Sequence, residues 1–155
     1  MAVKIRFARK KDYPLIYDCI MTTGWNDVPE EEKAATRKDA WMAFFRRIAE
    51  TLVERRDRKV FVAYDDQNDF MGYVMTGGMG GSAIPVGMIF DIFVLEPFRK
   101  RGIGKMLIET AERYCKDEGM WRVKLEVADN NPIARELYKK MGFKDERHLM
   151  GKNLS

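Results

Sequence analysis

The stretch Asp91-Ile92-Phe93-Val94-Leu95-Glu96-Pro97-Phe98-Arg99-Lys100-Arg101-Gly102-Ile103-Gly104-Lys105 decides how the chain is read. It completes an apolar run of strand character from Met88 to Leu95, meets a proline that ends pairing, and passes through a basic, glycine-bearing turn into a helix. The first amides of a helix lack intrahelical partners and sit at the positive end of its dipole. Gly102 and Gly104 keep side chains out of the way, and Arg99, Lys100, Arg101 and Lys105 add charge. Such a turn is built to take a pyrophosphate.

The spacing fits neither a Walker loop nor the dinucleotide fingerprint, which need Gly-Lys-Ser/Thr or a third glycine with a later acidic residue. Arg-x-x-Gly-x-Gly at Arg99, Gly102 and Gly104 instead resembles the acetyl-CoA motif of the GNAT superfamily of N-acetyltransferases. A second pattern follows in the same order as in that family. Val123-Lys124-Leu125-Glu126-Val127 leads through Ala128-Asp129-Asn130-Asn131-Pro132 to Ile133, Leu137-Tyr138 and Gly142-Phe143. The resemblance covers residues 88–143 well and the first half by element order only.

It implies an α/β (α+β) fold with a mixed, twisted, mostly antiparallel sheet of about six to seven strands and about four helices. The sheet would splay between the fourth strand (Met88 to Leu95) and the fifth (Trp121 to Val127). Backbone groups of Ile92, Phe93 and Val94 would bind the pantetheine arm and polarise the thioester, and Arg99 to Lys105, Ile103 included, would hold the pyrophosphate. Asn131 would bind the cofactor, cap the last helix, or do both. Tyr138 stands at the family's usual proton-donor position. Glu126 has a spacing similar to the proposed base of ribosomal-protein alanine N-acetyltransferases, yet it alternates with Arg122 and Lys124, which reads equally as a salt-bridged carboxylate. Asp91 is a second candidate base, and a water chain a third.

Composition agrees with a soluble domain. The 155 residues are 46% hydrophobic and 34% charged, enough for one core in a single domain spanning 1–155. The N-terminus has no apolar stretch fit for a signal peptide and no run approaches a membrane span, so a cytoplasmic location is expected and no membrane partner. Cys19 and Cys115 read as small core residues, and no metal-ligand pattern appears. The net charge of +4 gathers in Arg46 to Lys59 and Arg99 to Lys105 without interleaved aromatics, which favours acetyl-CoA over nucleic acid.

Along the chain, Val3 to Phe7 predicts a strand and Lys11 to Met21 a helix, stopped by Thr22-Thr23-Gly24. Trp25 then falls in a loop, as a core lid or a wall of the acceptor pocket. One long helix is predicted from Pro29 to Arg56, with Trp41, Phe44, Phe45, Ile48 and Leu52 on its apolar stripe. Asp27, Glu30 and Glu31 could attract a cationic acceptor. Lys59 to Tyr64 and Phe70 to Met79 predict a hairpin, and the glycines from Gly77 to Gly81 a flexible connection. Closing strands are expected at 143–145 and 147–151, the second carrying His148. Three functions remain open: an acetyltransferase for a small-molecule amine, a protein N-acetyltransferase for an α-amine or lysine, and a non-catalytic acyl-CoA-binding module. The apolar content permits a homodimer.

Overall fold

Val60 and Val62 alternate with Phe61 and Ala63, and Tyr73 and Met75 with Val74. All seven are buried. Strands that are apolar on both sides need cover on both faces, and the computed structural model, which describes residues 2–154, supplies it. Strands β1 (Lys4–Phe7), β2 (Arg58–Tyr64), β3 (Phe70–Gly78) and β4 (Val86–Val94) are antiparallel neighbours, and β5 (Arg122–Leu125) joins β4 in parallel.

On one face, helices α1 (Tyr13–Asp27) and α3 (Lys38–Glu54) pack Ile16, Ile20, Ala49 and Val53 against Val60, Val62, Tyr73 and Met75. On the other, α4 (Ile103–Asp117) and α5 (Pro132–Lys140) bring Ile103, Leu107, Ala111 and Tyr138 to Phe61, Ala63, Val74 and Ile89. One buried polar knot fixes the sheet edge. The Asp12 carboxylate accepts from Arg6 Nη1 at 2.7 Å, from Tyr64 Oη at 2.7 Å and from the Arg9 amide at 2.6 Å, tying β1, β2 and the start of α1 together. Burial pushes the Asp12 carboxyl up, but these donors outweigh it and hold it well below the usual carboxylate range.

Several expectations are corrected. Helix α1 runs through Thr22, Thr23 and Gly24 to Asp27, so Trp25 is helical rather than in a loop. The two threonine hydroxyls donate back to the Asp18 and Cys19 carbonyls, and Gly24 lies against Phe45, where a Cβ would come within 2.4 Å of the ring. The long second helix is two: α2 (Glu30–Ala35) and α3, separated where Thr36 and Arg37 turn extended. The sheet has five strands among the described residues, not six or seven, and there are five α-helices rather than four. No strand forms at 143–145 or 147–151. Asp145 is drawn to Arg135 and Lys139 on α5, Glu146 to Arg122 and Lys124 on β5, and Leu149 and Met150 stay exposed with no layer to cover them. Among the described residues no helix is long and apolar enough to cross a membrane.

Candidate active site

Strand β4 carries one residue too many. Asp91 pairs with Met75 and Ile89 with Thr76, so Phe90 is bulged out between them. The bulge breaks the alternation of faces. Ile89 and Ile92 point to the α4 side, Phe90 packs with the α1/α3 cluster, and Asp91 follows it, accepting a 2.5 Å hydrogen bond from the hydroxyl of buried Tyr73. A carboxylate is thereby placed in the middle of an apolar strand, where burial raises its pKa from 3.8 to about 6 despite the hydrogen bonds it accepts from Tyr73 and from the Ile92 amide.

At the same point the sheet opens. The β4–β5 ladder runs from Val86 opposite Arg122 to Ile89 opposite Leu125, and β5 ends there while β4 continues to Val94. On the opposite side β4 stays paired with β3 as far as Val94, and the Leu95 amide still donates to the Met71 carbonyl. Successive peptide groups of a strand point to opposite edges. With Leu95 turned toward β3, Val94 and Ile92 turn toward the opening and Phe93 toward β3. Of the three backbone positions expected at the opening, Phe93 is therefore committed to the ladder instead. The Val94 carbonyl accepts from Arg99 Nε at 2.9 Å.

The basic turn begins with a 3-10 turn at Glu96–Phe98 and reaches α4 through left-handed conformations at Lys100 (φ 59°) and Gly102 (φ 81°). Lys100 adopts this at a steric cost that Gly102 avoids. Ile103 is buried, so it offers the turn only its backbone, and Gly104 brings α4 against Val94 and Leu137, which a Cβ would meet at 3.8 and 3.5 Å. Arg99, Lys100, Arg101 and Lys105 are exposed around the turn, with Lys105 loosely paired to Glu109 at 3.7 Å.

Tyr138 on α5 closes the far side. It is 8% exposed and stacks edge-on against Phe143, and its hydroxyl has no hydrogen-bond partner among the described residues. Burial, then the charges of Asp91 and Asp27, raise it to about 12. Of the Glu126 salt bridge and the Asn131 helix cap expected from the sequence, the cap alone forms among the described residues. Glu126 is exposed just past the end of β5 and makes no ion pair among the described residues, because Arg122 and Lys124 both go to Glu146. Asn131 caps α5, its Oδ1 accepting from the Ala134 amide at 3.2 Å, while Asn130 reaches across to donate to the Asn26 carbonyl at the end of α1, also at 3.2 Å. Tyr73 was not anticipated as a partner of Asp91. The signal available was Asp91 itself, a single carboxylate inside an apolar run. His148 is exposed beyond the site. No group of three or more His, Cys, Asp or Glu among the described residues is placed to hold a metal.

The sequence profile of the acetyltransferase (GNAT) family matches residues 18–143. An N-alpha-acetyltransferase of Sulfolobus acidocaldarius is 35% identical over 100 residues, covering 59% of this chain and 60% of that protein. An aminoglycoside N(6')-acetyltransferase type 1 of Salmonella typhimurium is 28% identical over 71 residues, covering 46% of this chain and 49% of that one. The chain thus spans about half the length of these curated relatives. Among solved structures, an acetyl transferase of Pyrococcus furiosus superposes with a TM-score of 0.83 over 99% of this chain and 100% of its own, at 22% identity, a likeness of fold.

Proposed function

The chain belongs to the acetyltransferase (GNAT) family, and from that premise we propose that it transfers the acetyl group of acetyl-CoA to a primary amine of a small molecule by direct attack. The observation that carries this reading is the opening beyond Ile89 and Leu125, lined by the peptide edge of Ile92 and Val94, which no strand pairs, and flanked by Asp91 and Tyr138.

The pantetheine arm lies along that edge as a short extra strand, and the Lys100 to Lys105 turn receives the pyrophosphate on the first amides of α4. An alkylammonium of pKa near ~10.4 costs about 4 to 5 kcal/mol to neutralise at pH 7, so a base is required. Asp91, at about 6, is ionised at neutral pH but too weak a base to strip an alkylammonium outright, so the ammonium proton goes to water. The neutral nitrogen bonds to the acetyl carbonyl carbon, and its remaining excess proton becomes acidic and passes to Asp91. The carbon–sulfur bond breaks, and CoA leaves as thiolate. A phenol at about 12 does not readily yield its proton to a thiolate of pKa near ~8.5, so Tyr138 acts as a hydrogen-bond donor to the departing sulfur.

The bond from Asn130 to Asn26 ties the loop before α5 to the end of α1, a tether that supports a slender amine over a folded protein surface. The likeness to an N-alpha-acetyltransferase favours a second reading, in which a flexible peptide N-terminus enters instead. Amine-dependent CoA release, measured against small amines and N-terminal peptides, separates the two. Tyr138→Phe is expected to lower kcat about 10- to 100-fold with KM for the amine little changed, since a hydrogen bond to a charged group contributes roughly 1.5 to 3 kcal/mol. Full activity in that variant would remove Tyr138 from the reaction. Tight acetyl-CoA binding with no turnover on any amine would mark a binding module.

A further inference from the structure

Resting on the transferase reading, we propose that Arg58, at the start of β2, binds a carboxylate of the acceptor, so that the preferred substrates are amines carrying a carboxylate some way along the chain from the attacked nitrogen.

Arg58 shares a sheet face with Asp91. It pairs with Gly77 on β3, which has no side chain to stand in its way, and its own side chain reaches across to β4. There its Cζ lies 3.9 Å from the centre of the Phe90 ring, and its Nη1 donates to Met75 Sδ at 3.8 Å. Both contacts adjoin the proposed base. Phe90 is the bulged residue immediately before Asp91, and Met75 is the residue opposite Asp91 in the β3–β4 ladder. Phe90, Asp91 and Arg58 each keep some exposure, whereas Tyr73 and Met75 between them are sealed. An acceptor with its nitrogen at Asp91 has only to extend past Phe90 to meet the guanidinium.

The contacts with Phe90 and Met75 leave most of that guanidinium unsatisfied. Lying over a ring uses its flat face, while its N–H groups point outward in its plane and still need acceptors. A thioether is a weak one. Nε is shut off from solvent and has no partner, the one buried side-chain polar atom among the described residues left in that state.

The same chain shows what this edge of an arginine takes. Arg55 sets Nε and Nη2 against the two oxygens of Asp57 at 2.8 and 2.6 Å, and Arg37 uses the same two atoms on Asp39. Arg58 has no such carboxylate, because Asp57, its neighbour in sequence, is taken up by Arg55. Burial and then the charge of Arg55 lower its pKa, and an anion against its edge offsets both. A planar carboxylate matches the fork of Nε and Nη2 and supplies both acceptors.

The test compares amines that differ in the carboxylate. CoA release is measured with 4-aminobutanoate and 6-aminohexanoate beside n-butylamine and n-hexylamine, for the wild type and for Arg58→Met and Arg58→Lys. Methionine keeps an apolar stem on Phe90 and Met75 without the donors. The wild type is expected to prefer the amino acid over the plain amine in at least one pair. Arg58→Met is expected to lower that ratio of kcat/KM about tenfold, through KM for the amino acid, and Arg58→Lys to restore part of it. A general loss of folding lowers both members of a pair and leaves the ratio in place. A wild type indifferent to the carboxylate in both pairs, or a ratio unmoved in Arg58→Met, overturns the inference and leaves the transferase reading standing. No release with any of these amines, nor with any other amine tested for the family reaction, overturns that reading and this inference with it.

Discussion

Asp91 is where stability and chemistry oppose each other. Its folded pKa, raised from 3.8 to about 6 by burial, means that the folded protein prefers the neutral carboxyl. The stabilisation from binding that proton is complete below the unfolded pKa and is lost as the pH rises through about 6. At neutral pH the site therefore holds an ionised carboxylate that the fold disfavours, which is the form a base requires. Asp91→Asn, which keeps an acceptor for the Tyr73 hydroxyl, is expected to melt higher than the wild type at pH 7.5, with the difference shrinking as the pH falls through 6. The same variant is expected to lose about 10²- to 10⁴-fold in kcat. In the wild type kcat/KM should rise through about pH 6, and the variant should lack that limb. Thermal melts and a pH–rate profile read both effects. A variant that is less stable yet fully active would make Asp91 a structural residue and return the base to Glu126 or to water.

At the scale of the element, the bulge at Phe90 does what the apolar run could not announce. The run was legible as a strand and the basic turn as a helix start, because apolar stretches, glycine and charge are local signals. A bulge depends on the register against β3, and nothing in Ile89-Phe90-Asp91 marks which residue goes unpaired. The helix boundaries failed for a related reason. Thr22, Thr23 and Gly24 read as a stop until the hydroxyls are seen to bond back along the helix and the glycine to make room for Phe45. The alternation of β4 gives a residue-by-residue expectation for hydrogen exchange. The Phe93 amide, paired to β3, should exchange slowly with or without acetyl-CoA. That of Val94 should exchange fast in the free protein and slow on binding, whereas the Ile92 amide is already held by the Asp91 carboxylate. Protection that rises equally at Phe93 and Val94, or at neither, would place the pantetheine arm elsewhere.

Over the whole molecule, the two halves are unequally fastened. β1 to β4 form a continuous antiparallel sheet covered on both faces, whereas β5 joins it through a four-pair parallel ladder. Beyond β5 come α5, held by its Asn131 cap and by Gly104 against Leu137, and a C-terminal segment tied by surface ion pairs that contribute little each. The predicted closing strands would have braced this half. Their absence could not be read from 143–151 alone, because the deciding partners, Arg122, Lys124, Arg135 and Lys139, lie on other elements. A ligand that pairs with β4 while touching α4 and α5 bridges the weak joint. Acetyl-CoA at a hundred times its dissociation constant adds about 2.7 kcal/mol to the folded state, or roughly 5 to 10 °C in melting temperature for a chain of this size. The gain should be accompanied by slower exchange in β5 and α5 more than in β2 and β3, since only the former depend on the bridged joint. A melting temperature indifferent to saturating acetyl-CoA would mean that the opening between β4 and β5 is not where the cofactor lies.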